Sequence, residues 1–143
     1  MSITLEQANT AVAAALAKAS EMKLKPLTVA VLDAGGHLVA LQRQDGSSIL
    51  RPEIAIGKAA SSLALGLSSR KIAEMAADRP SFVASLGPLS RQGIIPAAGG
   101  LLIFGEGPHP VGAIGVTGDL SDNDEAAALA GIAAAGLKAE PQT

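Results

Sequence analysis

The side chains with chemical reach are few: two histidines, eleven lysines and arginines, thirteen carboxylates and no cysteine. His37 closes a glycine turn, Asp33-Ala34-Gly35-Gly36-His37. A neutral imidazole there can donate to a metal, and beside Asp33 it can carry a proton. It reads equally as a turn residue, because such stretches need unusual φ values. Arg43 lies six residues on, and alternation along a strand puts His37, Val39, Leu41 and Arg43 on one face. The strand rise then separates imidazole and guanidinium by about 20 Å. They bracket a flat ligand only if the strand bends or a second subunit closes the gap. Otherwise Arg43 is a solvated strand end.

Lys58 stands in an apolar helix turn, Ile54-Ala55-Ile56-Gly57-Lys58-Ala59-Ala60. Its stem can snorkel to water. Alternatively its ammonium faces a site and meets a carboxylate ligand or Asp45. Gly99-Gly100 offers bare backbone amides suited to carboxylate or phosphate oxygens, though strand flexibility explains the pair as well. His109, fixed between Pro108 and Pro110, reads as an exposed loop residue. The acidic string Asp119, Asp122, Asp124, Glu125 lacks the spacing of a calcium loop and reads as a helix N-terminal cap.

Other motifs are absent. No Gly-x-Gly-x-x-Gly joins a strand to a helix, no Walker loop occurs, and no serine stands in a Gly-x-Ser-x-Gly elbow. The two histidines lie too far apart in sequence for zinc spacing.

The elements that must position these residues follow from pattern. Thr4-x-x-Gln7 is a capping box, opening an alanine-rich helix from Leu5 to about Met22 that ends before Pro26. Leu27–Leu32 and Leu38–Arg43 are β-branched runs joined by the glycine turn, hence an antiparallel hairpin. Pro52-Glu53 opens a second helix to about Leu67, and Ser68 or Ser69 caps a third through Ala77. Ser81 to Gln92 is loop or broken helix. Leu101–Phe104 and Val111–Val116 form a second hairpin, with Gly93–Gly100 as an edge strand or extended loop. Asp122-x-x-Glu125 caps a last helix, Ala126 to about Leu137, apolar nearly all round. The expected fold is therefore α+β within the α/β class: an antiparallel sheet of about five strands flanked by helices, in the order α-ββ-αα-βββ-α, as a single domain over residues 1–143.

Composition sets the limits. Charged residues are 17% and hydrophobic residues 48%, with Phe82 and Phe104 the two aromatics. So little polar surface implies apolar area buried between subunits, with the last helix between its own sheet and a neighbour. A net charge of -2 and almost no stacking residues argue against nucleic-acid partners. The apolar stretches are too short for a membrane span, and the N-terminus lacks a basic leader region. A cytoplasmic homo-oligomer with a small-molecule partner is expected.

Taken in order, the run Val29–Ala40, then Arg43-x-Asp45-Gly46, Ala55-x-x-Lys58-Ala59, Pro96–Gly100, Gly112–Gly118 and Asp124-x-x-x-x-Leu129-Ala130-Gly131 resembles the GlcG/HbpS-like family. The same module forms the C-terminal part of PduO-type corrinoid adenosyltransferases. Leu102 stands where that family commonly has proline after the glycine pair. The resemblance implies the same antiparallel architecture and assembly from dimers up to octamers. Some members bind haem; others belong to glycolate or diol utilisation systems. By position, the resemblance makes His37 the candidate haem-iron ligand. It makes Lys58, Arg43, Gly99 and Gly100 the candidates for the propionate or carboxylate end.

Three functions follow in order. First is a binding protein for haem or a related tetrapyrrole. The second is a cofactor-independent enzyme acting on a small hydroxy or oxo acid. There Arg or Lys would anchor the carboxylate, and His37 or Asp33 would be the catalytic proton carrier. The third is an oligomeric scaffold without a ligand.

Overall fold

Thr4 begins the folded chain by accepting from the Gln7 amide at 3.1 Å while Gln7 returns its Oε1 to the Thr4 amide at 3.0 Å. This reciprocal cap opens helix α1, Leu5–Glu21. The helix stops four residues short of Pro26, where Lys23 takes a left-handed φ of 57°. The computed structural model describes residues 1–141. After α1 come strands β1 (Thr28–Asp33) and β2 (Leu38–Arg43), then helices α2 (Arg51–Leu65), α3 (Ser69–Asp78) and α4 (Pro80–Leu86). A 3-10 turn at Gly87–Leu89 leads to β3 (Gly100–Phe104), β4 (Pro110–Thr117) and helix α5 (Ser121–Ala134).

The strands form one antiparallel sheet in the order β2-β1-β4-β3. Four strands pair among the described residues, one fewer than expected. Gly93–Gly99 is a loop, with positive φ at both of its end glycines and the Ala97 amide donating to the Ile95 carbonyl at 3.0 Å. Val29, Val31, Ile114, Val116, Leu101 and Ile103 face α1 and α5 in the larger core. Leu32 and Ala113, on the other face, pack on Ala59 and Ala60 of α2. The sheet is thus sandwiched between one helix and two.

Small residues set the spacing of these layers. A Cβ on Gly115 of β4 would lie 1.9 Å from the Ala55 carbonyl oxygen of α2. A Cβ on Gly131 of α5 would lie 2.6 Å from the Ala11 carbonyl oxygen of α1. The backbones touch where any side chain would wedge them apart.

Two expectations need correction here. The register slips between Val31 and Leu32, so that Leu38 stands opposite Leu32 while Leu41 stands opposite Ala30 and Arg43 opposite Thr28. This β-bulge breaks the alternation that would have put His37 on Arg43's face. And α5 starts at Ser121 with Leu120 as its N-cap and no side-chain cap, so Asp122 and Glu125 do not form the expected capping box. Both carboxylates instead receive Arg70 of α3: Asp122 its Nη2, and Glu125 its Nε at 3.1 Å.

Candidate functional site

Both hairpin turns lie at one end of the sheet, because Asp33 at the end of β1 pairs with Gly112 near the start of β4. The first turn is built by Asp33. Its Oδ1 accepts the amides of Gly35 at 2.9 Å and His37 at 3.0 Å, an Asx turn. The main chain closes with the Asp33 amide donating to the His37 carbonyl at 2.8 Å, and Gly36 takes φ 84°. The tip is tied down from both sides. The Ala34 amide donates to Ser2 Oγ at 2.9 Å, and Gln92 Nε2 donates to the Gly36 carbonyl at 3.3 Å.

The imidazole of His37 folds back over this turn. Its Nδ1 lies 3.4 Å from Asp33 Oδ1, while the side chain is 80% exposed. A Cβ at Gly35 would come within 3.1 Å of Nδ1 and 3.2 Å of Cε1, so this first turn glycine also seats the ring. The His37 amide, followed by the Gly35 amide and the imidazole, holds Asp33 below the ordinary carboxylate range against the opposing pull of burial. A carboxylate so held orients the imidazole at Nδ1 and leaves Nε2 facing outward. It is a poorer proton acceptor than a free aspartate.

Two cavities flank the turn. A groove of about 280 Å³ separates Ala34–Gly36 from Ala60, Leu63 and Ala64 of α2. On the other side, about 860 Å³ opens between Ala34, Ser2, the second hairpin tip with His109, and Leu137. Thus His37 and His109, far apart in sequence, share one end of the sheet, and His109 lines the larger space.

The other residues singled out by sequence lie elsewhere. Arg43 is at the opposite end of β2, opposite Thr28. Lys58 is 3% exposed; its Nζ donates to the Val116 carbonyl at 2.9 Å and to Asp124 Oδ2 at 3.2 Å. Burial pushes its ammonium down from the ordinary lysine value against the pull of Asp124. Burial likewise pushes the Asp124 carboxyl up against the Asp119 amide and Lys58. Asp45 is not its partner. Gly99, at φ 127°, leaves room for Lys58: a Cβ would lie 2.9 Å from Nζ. Gly100 donates its amide to Ser69 Oγ at 2.7 Å and lies against the Lys58 backbone. Lys58, Gly99 and Gly100 therefore come together, but as a buried knot tying α2 to the sheet, away from the hairpin tip.

Asp119, expected only as one member of an acidic helix cap, proves to be its most heavily bonded carboxylate. Its Oδ1 accepts the Leu120 amide at 2.8 Å and Asn123 Nδ2 at 2.7 Å, and its Oδ2 accepts the Lys25 amide at 2.9 Å. The Asn123 bond, then those from the Lys25 and Leu120 amides, bring its pKa down to about 2. Its signal was an aspartate directly before the N-cap position. Arg51 and Thr117 went unremarked, and no local spacing announces them. Among the described residues no group of three or more His, Asp or Glu side chains is placed to hold a metal ion. None of the described helices is long and apolar enough to cross a membrane.

This fold and its glycine-turn histidine define a class. The chain belongs to the HbpS-like family of haem degrading proteins, which matches residues 3–133. Solved structures that share its architecture include these three. The haem complex of PduOC is 18% identical, with a TM-score of 0.86 over 98% of this chain and 99% of that one. Protein ORFY of Klebsiella pneumoniae is 27% identical, with a TM-score of 0.84 over 94% of this chain and 90% of its own. A double mutant of HbpS from Streptomyces reticuli is 30% identical, with a TM-score of 0.80 over 93% and 86%. Comparison with curated proteins gives no match.

Proposed function

We propose that this chain is a cytoplasmic haem-binding protein, a single-domain homo-oligomer in which His37 would hold the iron. The observation that carries the reading is the Asp33–His37 pair. Nδ1 lies against a carboxylate held in its anionic form, and Nε2 is presented outward on an exposed ring. Iron- and zinc-ligating histidines characteristically lean on such a carboxylate, which fixes the tautomer and raises the basicity of the free nitrogen. Family membership supports the same ligand. So does the haem bound by PduOC, whose fold this chain shares.

The residues present fit the group in part of its surroundings. The cavity beside the turn has an apolar wall of Pro108, Pro110, Val111 and Leu137, suited to a macrocycle, and a polar rim that includes Gln7, His109 and Lys138. His37 itself stands outside it, with Leu38 next to it 51% exposed. A second copy covering this apolar edge completes the enclosure. When bound, haem supplies iron redox and oxygen chemistry. The protein's own part is to fix the imidazole, through Gly35, Gly36 and Asp33, and to exclude water.

Titration with hemin, followed by absorbance, tests this reading. The wild type is expected to give a sharp Soret band and one binding isotherm. Asp33→Asn is expected to weaken binding about 10- to 100-fold through the lost support of Nδ1. An isotherm unchanged in both Asp33→Asn and His37→Ala rejects the site.

A further inference from the structure

Among the described residues two buried side-chain oxygens lack a hydrogen-bond partner, Thr28 Oγ1 and Ser47 Oγ. Buried hydroxyls are nearly always satisfied, and an orphan in a native fold marks a bound water, ion or ligand. Both belong to the same corner, at the end of the sheet away from His37. Thr28 is the first residue of β1, and Ser47 follows β2 in the loop to α2.

Arg43, Thr28 and Thr117 stand in a row across β2, β1 and β4, since Thr28 is opposite Arg43 on one side and Thr117 on the other. Directly opposed residues share a face, and alternation from Leu32 and Ala30 makes it the α2 face. Arg51, in the first turn of α2, donates Nη1 to Thr117 Oγ1 at 2.6 Å. The connecting loop is pinned beside this row. The Gln44 amide donates to the Leu27 carbonyl at 2.9 Å, and Gln44 Oε1 accepts the Leu27 amide at 2.7 Å.

Neither Arg43 nor Arg51 has an ion-pair partner among the described residues. Lys58, two turns along α2, is already closed by Asp124. The carboxylates of the corner pair with neither arginine: Asp45 and Glu53 are exposed, and Asp119, two residues beyond Thr117, is taken up by the Lys25 and Leu120 amides and by Asn123. The first turn of α2 has no side-chain cap, so its dipole adds positive potential, offset in part by Glu53 in the same turn.

We infer that this corner is a second ligand site, for a small oxyanion, either a carboxylate or a phosphate. Arg51 and Arg43 supply guanidinium donors, and the hydroxyls of Thr28 and Ser47 supply neutral ones. Planar guanidinium groups match both oxyanions in geometry. The site lies about 16 Å along β1 from the hairpin, by the rise per residue. No hairpin residue takes part, so the inference stands whether or not His37 binds haem.

Calorimetric melting of the purified full-length chain tests it, in phosphate, acetate, malonate or chloride at matched ionic strength. Phosphate or a carboxylate is expected to raise the Tm saturably at millimolar concentration while chloride does not; whichever acts identifies the oxyanion. Thr28→Val removes an unsatisfied hydroxyl, so the anion-free Tm should hold. The same variant, and Arg51→Lys, should weaken the oxyanion response about tenfold. If Arg51→Lys does not fold, Thr28→Val and Arg43→Lys decide the matter. Equal effects of chloride, no effect of any anion, or a wild-type response in the variants would overturn the site. So would a lower anion-free Tm for Thr28→Val, which shows its hydroxyl already bonded within the protein.

Discussion

At the scale of single residues, His37 owes its orientation to what surrounds it on the same turn. Gly35 is the sensitive neighbour, because a methyl there would stand 3.1 Å from Nδ1. Gly35→Ala is therefore expected to turn the ring away from Asp33 and weaken hemin binding, while the melting temperature moves by only a few degrees. A titration and a melt on the same sample check both parts. Asp33 was read as a possible proton carrier. The structure gives its Oδ1 two backbone amides and the imidazole, which fits an orienting carboxylate better than a base.

Lys58 shows where residue-scale reading fails. A lysine in an apolar helix turn looks the same in sequence whether it snorkels or pairs inside, and its partner Asp124 lies 66 positions away. Removing one member of this buried pair strands a charge. Lys58→Met is expected to cost about 3–5 kcal/mol in urea unfolding, while Lys58→Met with Asp124→Leu recovers much of it. Equal losses in the single and double variants would refute that pairing.

At the scale of elements, the hairpins, the capping box and the helix order were legible because each has a local signature. Asp33 to His37 gives the turn, and Thr4 with Gln7 gives the first cap. The bulge opposite Val31 was not legible, since it depends on register with β1 and not on the composition of β2. Of the edge strand or loop expected at Gly93–Gly100, the loop is what forms: Gly100 already opens β3, while Gly93 and Gly99 take φ of 83° and 127°, outside the strand region. A need for close approach governs Gly115 beneath α2. Gly115→Ala drives a methyl into the Ala55 carbonyl, and the overpacking is expected to cost about 1–3 kcal/mol or more. Chemical denaturation measures it directly.

At the scale of the whole molecule, pH acts through the carboxylates. Asp119 has a folded pKa of about 2 against an ordinary 3.8. Its stabilisation is fully present above the unfolded value and is lost as the pH falls from about 4 towards 2. Asp33 acts in the same direction, and Asp124, raised by burial, acts against them. Asp119→Asn is expected to flatten the acid limb of the stability profile, measured as Tm against pH. Assembly belongs to this scale too. Leu38, Ile49, Leu50, Leu89 and Leu120 are exposed aliphatics on a chain poor in charge. Sedimentation at micromolar concentration is expected to give an oligomer, and hemin to bind it without dissociating it.

The proposed function rests on one bond, from His37 to haem iron. The most direct measurement is the ferric spectrum of the hemin complex for wild type, His37→Ala, and His37→Ala with added imidazole. The expected result is a sharp Soret band in the wild type, its loss in the variant, and its return when free imidazole takes the vacated position. A variant spectrum identical to the wild type, with or without imidazole, would contradict the assignment.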